Sequence, residues 1–130
     1  MEWYLPITII PGIGVLIVST TNQMIAVSEE IREIITADYT AFSKNIAALK
    51  ITQLGKLTLA TFFLYLSCAL YVVSGIFSAF LAMHFLPDLF LIIGTLCLFV
   101  AIGFLIAYGF NLIQIRKKQF QNLINYDDKK

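Results

Sequence analysis

Residues 57–115 read LTLATFFLYLSCALYVVSGIFSAFLAMHFLPDLFLIIGTLCLFVAIGFLIAYGFNLIQI, and the only Asp, Glu, Lys or Arg among them is Asp88. A bilayer core is crossed by about 20 apolar residues in a helix, and the stretch on either side of Asp88 exceeds that. In hydrocarbon only helices and closed barrels satisfy their own backbone groups. The apolar runs here are too continuous for the in-out alternation of barrel strands. The stretch therefore predicts two transmembrane helices, over 57–85 and 89–115. Pro87 and Asp88 form the link, which makes a tight antiparallel pair. Both helices are longer than the hydrocarbon requires and are expected to tilt or protrude.

Upstream, no Asp, Glu, Lys or Arg occurs between Glu2 and Glu29, which predicts a first span over 3–24. Pro6 and Pro11 fall in its first half. Proline removes a helical donor, so the expectation is a bend there or a helix that starts after Pro11. The N-terminus carries an acid and no cation before its apolar run, which lacks the charged region of a cleavable signal and reads as a retained span. Trp3 and Tyr4 at one end, and Tyr108 and Phe110 at the other, stand where an interfacial aromatic belt is expected.

The composition agrees. Hydrophobic residues make up 59% of the chain and charged residues 13%, with a mean hydropathy of +0.85, against roughly half and a quarter in soluble domains. The net charge of +1 and the lack of a basic patch with interleaved aromatics argue against nucleic-acid binding. All nine Lys and Arg residues fall on one side of the three-span arrangement. Arg32, Lys44, Lys50 and Lys56 lie between spans one and two, and Arg116, Lys117, Lys118, Lys129 and Lys130 follow span three. Positive residues stay cytoplasmic on insertion. The N-terminus is thus expected outside and the C-terminus in the cytoplasm, as in a multi-pass protein of the bacterial inner membrane.

The segment 25–56 is neither span nor plain linker. No Gly or Pro occurs between positions 15 and 54, and Met24, Val27, Ile31, Ile34, Ile35, Phe42, Ile46 and Leu49 recur at helical spacing. The chain must turn back to the membrane, and Asp38 is the expected N-cap of the returning arm. An antiparallel cytoplasmic hairpin turning there sets Glu33 near Lys44 and Glu29 near Lys50. Each exposed pair is worth about 0.2–1 kcal/mol and serves register more than stability. The alternative is two amphipathic helices lying on the lipid surface. The tail, 116–130, continues span three and carries Phe120, Leu123 and Ile124 on one face, which would let it dock against the hairpin. The fold class is all-α, a single membrane domain of three transmembrane helices with a cytoplasmic helical hairpin between spans one and two.

The stretch PGIGVLIVSTTNQMIAVSEEIREI, 11–34, resembles the first helix of a family of small bacterial membrane proteins known as a domain of unknown function, number twenty-seven twenty-one. Thr21-Asn22-Gln23 and Ile31-Arg32-Glu33-Ile34 stand for two short elements of that family, with Gln23 where the family carries Arg. NIAALKITQLGKLTLATFFLYLSCALYV, 45–72, resembles its second helix, and 113–117 its third-helix exit. The resemblance implies a three-helix bacterial membrane protein and brings no activity with it.

Chemistry is sparse. The spans carry no Asp, Glu, Lys or Arg, and the sole histidine, His84, lies near the outer end of span two, four residues before Asp88, where a solvent-facing loop histidine is the expectation. No zinc-ligand spacing, phosphate loop or nucleophile constellation occurs, so neither a catalytic nor a metal site is expected, and no cofactor. Cys68 and Cys97 differ in depth by about 14 Å at helical rise, and a disulfide needs Cα atoms within about 7 Å. What remains is a stripe of small and hydroxylated residues. In span two it comprises Ser67, Tyr71, Ser74 and Ser78, flanked by Gly75 and Ala79, and in span three Gly94 and Ala101, with Gly103 and Ala107 as a separate pair. Such residues let helices approach closely and bond across the contact, so packing of spans against each other is expected, or a self-association face. Asn22, Gln23, Asn111 and Gln114 are expected together at the cytoplasmic end.

The function these features favour is a non-enzymatic membrane scaffold or accessory subunit, acting through helix packing and the cytoplasmic hairpin. Its partners would be the lipid bilayer and a second copy or another membrane protein. The alternative is an oligomeric channel or membrane-permeabilising effector with Ser67, Ser74 and Ser78 lining the pore.

Overall fold

The computed structural model describes residues 4–37, 40–80 and 85–127. They form three helices: α1 (Tyr4–Thr36), α2 (Ala41–Phe80) and α3 (Phe85–Asp127). Each is long and apolar enough to cross a membrane. At 1.5 Å per residue their 33, 40 and 43 residues extend about 50, 60 and 65 Å, against a hydrocarbon thickness of about 30 Å.

The long Gly- and Pro-free stretch keeps each arm continuous with its span. α1 runs unbroken from its apolar half through Glu29 and Glu30 to Thr36, where the Thr36 hydroxyl donates to the Arg32 carbonyl (2.8 Å). α2 starts after Thr40, whose hydroxyl accepts the Ser43 N–H (3.3 Å) while its carbonyl accepts that of Lys44 (3.1 Å). Thr40 therefore caps the returning arm; Asp38, expected in that role, lies outside the described residues.

Two expectations about proline change. α1 is already helical at Tyr4 and continues through Pro11, so it does not begin after it. Pro87 and Asp88 are not a link but lie in the first turn of α3, which starts at Phe85. There the missing proline N–H costs no helical bond, because the first four donors of a helix are unpaired in any case. The Asp88 carboxylate suits the positive end of the helix dipole. Residues 81–84, including His84, lie outside the described residues.

α2 packs between α1 and α3, whose backbones scarcely approach each other. Burial follows one rule throughout. In α3 the buried residues are Pro87, Gly94, Ala101, Tyr108 and Ile115, each seven after the last. In α1 they include Pro6, Ile13, Thr20 and Val27, again seven apart. In α2, alternate steps of four and three run through Ile46, Lys50, Gln53, Leu57, Ala60, Leu64, Ser67, Tyr71 and Ser74. A repeat of 3.5 residues is the signature of left-handed coiled packing, in which each seam keeps facing its neighbour. Two apolar clusters fill the seam: Ile13, Leu64, Tyr71 and Ala101 in one, Val27, Ile31, Leu57 and Tyr108 in the other.

The outward faces remain apolar. Val15, Phe62, Leu96, Phe99 and Ile106 are all exposed on the bundle surface. A water-soluble helix shows charge on that side. A bundle apolar both inside and out is matched to lipid as its surroundings.

Candidate functional site

Polar groups converge in the seam, and they do so differently along its length. In the apolar half, α2 is fastened to α3. The Ser67 hydroxyl donates to the Gly94 carbonyl (2.8 Å) and the Ser74 hydroxyl to the Pro87 carbonyl (2.8 Å). The Thr95 hydroxyl donates to Leu91 in its own helix, so across the 2.9 Å contact with Tyr71 the phenol is the donor. These bonds need close backbones, and Gly94 provides the room. A Cβ at that position would stand 3.3 Å from the Leu70 Cβ and 3.5 Å from a Tyr71 ring carbon. Phe63 stacks on Phe104 and Phe77 tilts against Phe90, flanking the same contact.

At the charged end, α2 is fastened to α1. Lys50, only 4% exposed, is ion-paired with Glu30. The register expected from the sequence is thereby corrected: Lys50 pairs with Glu30 and not with Glu29. Lys50 occupies a seam position, and Glu29 falls one residue further round α1, on its exposed face. Glu33 and Lys44 are likewise exposed, and no ion pair joins them. Gln53, one seam position beyond Lys50, is 1% exposed, and neither its amide nitrogen nor its amide oxygen has a partner. Sequence reasoning missed both Glu30 and Gln53. The signal for Gln53 was present in the 3.5-residue spacing, which runs unbroken from Ile46 to Ser74.

The small-residue stripe divides. Ser67, Tyr71, Ser74, Gly75, Gly94 and Ala101 are buried in the seam, whereas Ser78 and Ala107 are half-buried and Ala79 and Gly103 exposed. Gly103 stands two residues past Ala101, which turns it to the far side of the helix. Tyr108 is also not an interfacial belt residue: it packs against Val27, Ile31 and Leu57. The expected polar cluster does not assemble. Asn111 and Gln114 share a pocket between α2 and α3, while Asn22 and Gln23 are exposed on α1, with Asn22 beside Pro11, Gly14 and Ser19. The tail stays helical to Asp127 and lines a pocket with Phe42 of the returning arm through Gln119, Asn122, Leu123 and Tyr126, while Phe120, Leu123 and Ile124 remain exposed.

Cys68 and Cys97 are free thiols. No grouping of three or more His, Cys, Asp or Glu that could hold a metal occurs among the described residues. No family model, curated protein or solved structure matches the chain.

Proposed function

We propose that this protein is a non-enzymatic scaffold or accessory subunit of the bacterial inner membrane, with its N-terminus outside and its C-terminus in the cytoplasm. The three helices hold together in lipid through the seam, and their cytoplasmic extensions form the partner surface. The charge distribution supports the orientation: every described Lys and Arg, from Arg32 to Lys118, falls at the end of the bundle where α1 and α2 join.

The observation that carries the reading is apolar surface beyond the uncharged stretches, where lipid no longer covers it. Ile34, Ile35, Ala47, Ala48 and Ile51 line a groove of about 260 Å³ between α1 and α2. Phe120 and Leu123 on α3 are each 67% exposed. Contiguous apolar patches on a water-facing surface mark interaction sites. The rival reading, a pore lined by Ser67, Ser74 and Ser78, draws no support from the geometry, because the first two hydroxyls are buried and engaged with α3 carbonyls.

The test is co-purification in mild detergent with Ile35→Asp and Ile51→Asp together. These exposed positions tolerate charge, so the protein is expected to insert and fold while losing the membrane protein that co-purifies with the native chain. An unchanged set of co-purifying proteins at unchanged stoichiometry would contradict the reading.

A further inference from the structure

A pocket with a mostly apolar lining opens between α2 and α3, with Thr52, Gln114 and Lys118 exposed at its rim. Its volume is about 80 Å³, and it is lined by Leu49, Thr52, Asn111, Gln114, Ile115 and Lys118. That space is several times the roughly 10–15 Å³ a single water needs. The polar lining has one character. Asn111, Gln114 and Lys118 follow one another at three and four residues, so α3 presents two amide groups and an ammonium along a single face. No acid lines the pocket. Lys56, half-buried, stands one turn from Thr52 on the same face of α2.

Depth completes the assignment. The uncharged stretches of α2 and α3 end at Lys56 and Arg116, and the pocket lies between those two levels. About two turns deeper on α3 and three on α2, the Phe63–Phe104 stack begins the apolar wall. Cationic pockets between transmembrane helices at the cytoplasmic face suit anionic lipid headgroups. We infer that this pocket binds a phosphate group, with Lys118 as counter-charge and the amides of Asn111 and Gln114 as donors, and that the phosphate is carried by an anionic phospholipid. The inference rests on the membrane reading above. Inorganic phosphate shares the headgroup chemistry but brings no acyl chains to lie along the Phe63–Phe104 wall.

The experiment is native mass spectrometry of the detergent-solubilised protein titrated in parallel with phosphatidylglycerol, phosphatidylcholine and inorganic phosphate. Lys118→Gln and Asn111→Ala are compared with Lys44→Gln, an exposed lysine outside the pocket. The expected result is one phosphatidylglycerol retained per chain in preference to phosphatidylcholine. Retention should fall about tenfold in Lys118→Gln, as loss of a charge-assisted hydrogen bond predicts, and remain unchanged in Lys44→Gln. Millimolar inorganic phosphate should leave the bound lipid in place. Equal retention of the two lipids, or Lys118→Gln holding as much lipid as the native chain, overturns the site. Displacement of lipid by inorganic phosphate overturns the lipid assignment. If the protein meanwhile stays in the bilayer through an alkaline wash, the membrane reading stands while the inference falls; release into the wash would remove both.

Discussion

α2 makes two contacts of opposite kind. Against α3 it uses hydroxyl bonds to backbone carbonyls, a glycine and stacked rings in the apolar half, and against α1 a hydroxyl–thioether contact from Thr61 to Met24 and, at the charged end, an ion pair. The division follows from the solvent. In hydrocarbon, apolar side chains gain nothing by leaving lipid for protein, so association relies on close backbones and interhelical hydrogen bonds. Where water competes, an ion pair sheltered in the seam gives register. The hydroxyl bonds to α3 therefore lie in the uncharged half and the ion pair to α1 at the charged end, while Ile13 of α1 also packs with Leu64, Tyr71 and Ala101 in the uncharged half.

The largest break in this contrast is expected from Gly94→Leu. A Cβ is already tight against Leu70, and the added branches would force α3 off α2 and break the Ser67 bond. Overpacking of this kind costs about 3 kcal/mol, read as a lower midpoint of unfolding in a denaturing-detergent titration. Next is Glu30→Ala, which strands the Lys50 ammonium in the seam. Its cost lies between the exposed-pair and buried-pair limits, about 1–3 kcal/mol. Cysteines placed at Val27 and Leu57 should then report loosening of α1 by slower oxidative crosslinking, with α2–α3 crosslinks unchanged.

Ser67→Ala should cost about 0.6–1.7 kcal/mol, the range of single interhelical hydrogen bonds in membranes, and leave α1 in place. Smallest is Gln53→Leu, which replaces two unpartnered buried atoms with an apolar side chain and is expected to stabilise by about 1 kcal/mol or less. A thermal melt in detergent that falls in place of rising would show that Gln53 has a partner in the membrane-bound protein.

The three long helices were legible in the sequence because lipid imposes a coarse rule: stretches empty of charge and long enough to span. The inward role of Ser67, Tyr71, Ser74 and Gly94 was legible too, since small and hydroxylated residues at steps of three and four have few other uses in a span. Register was not. Glu29 and Glu30 are chemically equivalent in sequence, and only the seam decides which one reaches Lys50. The boundary at Pro87 was misread because a proline suits both a link and a first helical turn. Tyr108 was assigned to the lipid interface by depth alone, though its place in the seven-residue series from Pro87 to Ile115 puts it inside.

In this arrangement lipid covers the apolar side chains that the bundle leaves open. Thiol labelling in sealed membrane vesicles tests this, with single cysteines introduced into a Cys68→Ser, Cys97→Ser background. A membrane-impermeant reagent should modify Phe85→Cys from the external side and Phe120→Cys from the cytoplasmic side alone. It should leave Leu96→Cys, 60% exposed on the bundle surface, untouched from both. Modification of Leu96→Cys in intact vesicles, or of Phe85→Cys and Phe120→Cys from the same side, would contradict it.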